Sequence, residues 1–129
     1  QRRVTLESPA DVELVWNGEG AMVDGQQWPF VSKTLVRLPA GRHVVEPTAR
    51  RDGISVLDLN AKLRSASAEG KRLSFQYSSD SRAIVRFDRK PIRMELDGFA
   101  FSPPCISSKD AATDCAILLP GGDHRVSSF

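Results

Sequence analysis

LPAGRHVV (residues 38–45) and LPGGDHRV (residues 119–126) are one phrase written twice. A phrase that returns is either a site used twice or a structural unit built twice. The flanking residues favour the unit. Residues 4–46 lie over residues 73–127 with the same order of events. An alternating run opens each, Val4, Leu6 and Ser8 against Leu73, Phe75 and Tyr77. A polar turn with Asp11 or Asp80 follows, then a second apolar run ending on Trp16 or Phe87. Next comes an Asp-Gly pair, Asp24-Gly25 and Asp97-Gly98, and last an apolar run into the Leu-Pro-x-Gly-x-His phrase. Alternation with period two between turn residues is the strand signature. Asp-Gly between apolar runs predicts a type I′ hairpin, because both central residues need φ > 0.

The reading is therefore all-β: a sandwich of about eight to ten short strands in one domain. Unit one spans 4–46, a connector 47–72, and unit two 73–127. A pseudo-two-fold relation is expected, with His43 and His124, and Trp16 and Phe87, as mates. Within the connector, Val56, Leu59 and Leu63 allow an irregular or helical stretch near 55–60. AKLRSAS (61–67) and RLSFQYS (72–78) around AEGK then predict a hairpin. The units differ between Gly98 and Leu119, where the second carries an insertion within SPPCISSKDAATDCAILL (102–119).

The phrase has a turn chemistry. Pro39 and Pro120 fix φ and lack an N–H, so they end a ladder. Gly41 and Gly122 supply the backbone freedom of the turn. His43 and His124 then stand at the foot of the departing strand, where hydrogen bonds to turn backbone explain both.

The 129 residues suffice for a real core. Hydrophobic residues are 40% and charged residues 26%, an ordinary globular mix. No apolar run approaches the roughly 18 residues that cross a bilayer. The net charge is +2, and acidic residues interrupt most of the basic ones. The densest basic stretch, RAIVRFDRKPIR (82–93), puts charge on both faces of a strand, so nucleic-acid binding is not expected. The opening QRRVTL runs almost directly into a strand, as it would after a removed leader or in a piece of a longer protein.

No GxSxG, HExxH, P-loop or strand-borne GxGxxG is present, and no catalytic residue is assigned. Asp24 and Asp97 are singled out by repetition, yet each precedes a hairpin glycine, where Asp is expected for turn reasons. No cofactor or metal is expected: Cys105 and Cys115 have no zinc-ligand spacing. A disulfide between them is the leading reading, in an oxidising compartment, with free thiols as the alternative. The aromatics leave two readings. Pro29 discourages a central strand, so Trp28 and Phe30 would lie near a rim, where with Gln26, Gln27 and Asp24 they could contact a sugar face. Otherwise they are core, as expected for Trp16, Tyr77 and Phe87.

Two resemblances follow from these residues. VDG with LPAGRHVV resembles PEGA-type β-sandwich modules of bacterial surface proteins. LRSASAEGKRLSFQYSSDSRAIVRFDRKPIRMELDG (63–98) with LLPGGDHRV is similar to the carboxy-terminal β-sandwich domains of bacterial glycoside-hydrolase-like proteins. The matching positions are Tyr77, Ser79, Arg82, Pro91, Asp97, Gly98, Leu119, Pro120, Gly122 and His124. That resemblance implies a non-catalytic accessory module, secreted or periplasmic, with a catalytic domain of the same polypeptide or a polysaccharide as its partner. A stand-alone protein-interaction or adhesion module is the rival, and it would show an exposed sheet edge or apolar patch. An enzyme using His43, His124 or the cysteines would bring them together in one cleft.

Overall fold

The computed structural model describes residues 1–106 and 114–129; the interior of the insertion, 107–113, lies outside them. Among the described residues there is no helix. The first half carries β1 (Val4–Ser8), β2 (Val12–Val15), β3 (Gly20–Val23), β4 (Gln26–Gln27), β5 (Leu35–Leu38) and β6 (Gly41–Thr48). The connector carries β7 (Val56–Leu59) and β8 (Lys62–Glu69). The second half carries β9 (Arg72–Ser79), β10 (Ala83–Phe87), β11 (Met94–Leu96), β12 (Phe99–Ala100), β13 (Cys115–Leu119) and β14 (Gly122–Ser128). The fold is an all-β sandwich of open antiparallel sheets, with more strands than expected because each half adds short pieces such as β4 and β12.

The halves share one pairing scheme. One sheet runs β1-β6-β3-β4 and its counterpart β9-β14-β11-β12; the second sheet is β2-β5 and its counterpart β10-β13. Both Asp-Gly pairs form the expected turn, with φ of 52° and 80° at Asp24 and Gly25 and 53° and 84° at Asp97 and Gly98. Gly41 and Gly122, at the start of β6 and β14, also have positive φ, at 121° and 98°.

Register corrects the sequence alignment of the first strands. Val45 faces Val4 and His43 faces Leu6, while Val126 faces Phe75 and His124 faces Tyr77. Val4 is thus the counterpart of Phe75, and Leu6 of Tyr77, two residues away from the alignment made on alternation alone. Period two permits any even shift, and only the partner strand fixes one. The connector differs from expectation too. Residues 56–59 form β7, an edge strand on β10, in place of a helical stretch. The Val56 and Leu59 side chains are buried, and the spacing that suggested a helix face is accommodated by a register shift between Arg86 and Phe87. The predicted hairpin forms, with Leu63 opposite Tyr77 and Ala66 opposite Phe75.

The connector breaks the equivalence of the halves. Both its strands join the second half, β7 beside β10 and β8 beside β9. On its far side β8 lies against β4 of the first half. Phe30 packs edge-on against Phe75 with ring centroids 5.3 Å apart. One core runs through both halves, with Trp16, Val36, Leu38 and Val45 of the first and Phe75, Tyr77, Phe87 and Leu119 of the second fully buried. Burying each such side chain stabilises the fold by about 1.5–3 kcal/mol before entropy is counted.

Candidate functional site

The repeated residues assemble two clasps. In the first, Asp24 sits on the positive-φ turn and aims its carboxylate at β6. The Val44 N–H donates to Asp24 Oδ1 (2.9 Å) and His43 Nδ1 meets Asp24 Oδ2 (2.8 Å). The other ring nitrogen, His43 Nε2, donates to the Pro39 carbonyl (2.9 Å). The second clasp repeats this: Arg125 N–H to Asp97 Oδ1 (2.8 Å), His124 Nδ1 to Asp97 Oδ2 (2.6 Å), and His124 Nε2 to the Gly121 carbonyl (2.8 Å). The Leu-Pro-x-Gly-x-His phrase and the Asp-Gly pair are thus two ends of one device, which ties the hairpin tip to the turn before the last strand. The accepting carbonyl differs, Pro39 in the first half and Gly121, one position further along the phrase, in the second. The Tyr77 hydroxyl donates to the Pro120 carbonyl (2.6 Å); the first half has Leu6 in that place and no hydroxyl to offer.

Both ring nitrogens of each histidine face acceptors, and at His124 this bears on its charge. Asp97 raises His124 above its ordinary pKa; burial opposes this and the Gly121 carbonyl assists. His124 and the Arg125 N–H hold Asp97 below the usual carboxylate range. At Asp24 burial pushes up, but the Val44 N–H and His43 outweigh it and the carboxyl is lowered. Burial, with Asp97 nearby, pushes Tyr77 up to about 12, so its hydroxyl remains a donor. Each histidine is engaged at both ring nitrogens within its own half. Among the described residues no three His, Cys, Asp or Glu side chains gather as metal ligands would. Cys105 and Cys115 form a disulfide (S–S 2.04 Å) that joins the segment after β12 to β13.

The residues considered for glycan contact separate. Phe30 is 3% exposed and belongs to the core. Trp28 is 7% exposed, and its indole N–H donates to the Arg37 carbonyl (2.7 Å). Neither ring lies flat at a rim, which corrects the expectation drawn from Pro29: that proline follows β4, and its carbonyl accepts from Val56 N–H (2.8 Å), bringing the chain inward under the connector. Asp24 is spent in its clasp. Gln26 is exposed on β4. Trp28 and Gln27 both line a cleft of about 350 Å³ between the first half and the connector. Its wall includes Ser32, Lys33, Arg51 and Asp88. The Arg51 guanidinium donates twice to the Ile54 carbonyl (2.7 and 2.8 Å), and its buried Nε has no partner among the described residues. Burial draws the Arg51 pKa below the ordinary arginine value.

A second node escaped the sequence reading. Arg37 donates to Asp11 (2.6 Å) and to the carbonyls of Leu59 and Ala61, and the Leu63 N–H donates to the same carboxylate (3.2 Å). Burial raises Asp11, but Arg37 and the Leu63 N–H lower it further. This node fastens the connector to the first half. Asp11 stood out only as a turn residue, and no spacing links it to Arg37.

Comparison with family models, with curated proteins and with solved structures finds no match for this chain. No described helix is long and apolar enough to cross a membrane.

Proposed function

We propose that this chain is a non-catalytic accessory module of an exported bacterial carbohydrate-active protein, and that it contacts glycan at the cleft beside Trp28. The cleft carries the reading. Trp28 lines it together with Gln27, Ser32, Lys33, Arg51 and Asp88, a mix of apolar surface and polar groups of the kind that binds small polar ligands. The resemblance of residues 63–98 to accessory domains supports the substrate class. The Cys105–Cys115 disulfide agrees with a secreted or periplasmic location. Both histidines and both hairpin aspartates hold turns together, which favours a binding role over a catalytic one.

The test is isothermal titration against a panel of soluble neutral and acidic polysaccharides, with Gln27→Ala and Lys33→Ala beside the parent. Both side chains are exposed, so the fold should survive. Saturable binding weakened about tenfold by either change, equivalent to about 1.4 kcal/mol, is the expected result. Absence of saturable binding across the panel would overturn glycan contact at this cleft.

A further inference from the structure

The unequal treatment of the two halves leaves a specific edge open. In the second half β9 lies between β14 and β8; in the first, its counterpart β1 pairs with β6 and with no second strand among the described residues. Burial follows the pairing. Phe75 and Tyr77, under β8, are each 1% exposed, whereas their counterparts Val4 and Leu6 are only half-buried although they pack on the same core. β8 can be laid on β1 in the register it keeps on β9, with the same register shift between Leu63 and Ser65. Leu63 would stand opposite Leu6 and Ala66 opposite Val4, matching apolar faces. Lys62, which faces Ser78, would face Glu7, while Glu69, which faces Arg72, would lie beyond the start of β1 at Val4, on the side of Arg2 and Arg3. Opposite charges across antiparallel strands stabilise the pair, and like charges oppose it.

We propose that the free edge of β1 accepts an extended strand from a partner polypeptide, added antiparallel as β8 is added to β9. The strand it fits is basic at its start, apolar in the middle with small residues at alternate positions, and acidic at its end. Backbone hydrogen bonds supply most of the affinity in such strand addition, and alternate side chains supply the selectivity. The apolar side chains of that strand would cover Val4 and Leu6. The unpaired edge is the sort that otherwise invites non-specific pairing.

The edge can be tested with the chain's own sequence. Residues 60–71, NAKLRSASAEGK, are placed directly before Gln1, so that the graft meets β1 as β8 meets β9 across its turn. A graft of scrambled order serves as control, and the same segment is also supplied as a free peptide. Linking raises the effective concentration to the millimolar range, so weak pairing is still read. The expected result is at least tenfold slower amide exchange within Val4–Ser8, with cross-strand nuclear Overhauser contacts between the grafted leucine and Leu6. The scrambled graft should give neither, and Leu6→Lys should abolish both. Unchanged exchange at β1 in a chain that is otherwise folded would overturn the proposal. So would equal protection by the scrambled graft, invasion of the graft at β9, or a concentration-dependent dimer of the parent that itself covers β1.

Discussion

Asp97→Asn isolates the charge of one clasp. Asparagine keeps an amide oxygen for the Arg125 N–H and tolerates the positive φ of this position; what it loses is the carboxylate that pairs with protonated His124. A hydrogen bond to a charged partner contributes about 1.5–3 kcal/mol when well buried. The Asp97 side chain is 45% exposed and that of His124 24%, so solvent screening brings the expected loss to about 1 kcal/mol. For a domain of this size that is a Tm drop of about 3–5 °C. The pH dependence has a definite sign. His124 is raised on folding, so its contribution is complete below the ordinary histidine pKa of about 6.5 and fades as pH rises through the higher folded value. Asp97 is lowered, so its contribution is complete above the ordinary aspartate pKa of about 3.9 and fades as pH falls through the folded value. The clasp is strongest between those limits. Thermal unfolding of parent and variant from about pH 5 to pH 8, with the His124 ring titrated by NMR, measures both effects. A variant that retains the parent's Tm at pH 5.5, or a His124 titration unmoved by the substitution, would refute the clasp as an ion pair.

Two further changes probe what surrounds it. Tyr77→Phe removes the donor to the Pro120 carbonyl in a residue that is 1% exposed; a loss of about 1–2 kcal/mol in urea unfolding is expected, smaller if His124 turns to Pro120 as His43 does to Pro39. Arg37→Met leaves Asp11 and the Leu59 and Ala61 carbonyls without their shared donor; about 2–3 kcal/mol should be lost, with faster amide exchange at Leu63 as the local signature of a loosened connector.

Much of the fold was legible because its turns are chemically marked. Asp24-Gly25 and Asp97-Gly98 need φ > 0 at both residues, so the sequence names the hairpins outright. The phrase around His43 and His124 named a turn and a strand. The repeat itself showed that the two histidines share one job, although not that Asp24 and Asp97 are their partners, since those residues lie far apart in the chain. The candidate cleft was half legible. Trp28 and Gln27 were picked out by their place after the hairpin, while Arg51 and Asp88 reach it from the connector and from the end of β10, and no local pattern announces either.

What the sequence by itself determined is everything that rests on local stereochemistry: the two hairpin tips, the two Leu-Pro-x-Gly turns, the alternating strands and their order in each half. What only the tertiary structure decided is everything that rests on which strand lies beside which. The two-residue offset that matches Val4 with Phe75, the strand at 56–59 in place of a helical stretch, the inward turn of Trp28 and the joining of both connector strands to the second half belong to that class. Side-chain alternation is unchanged by an even shift and indifferent to the partner; the partner is selected by the volume and backbone hydrogen bonds that long-range contacts supply.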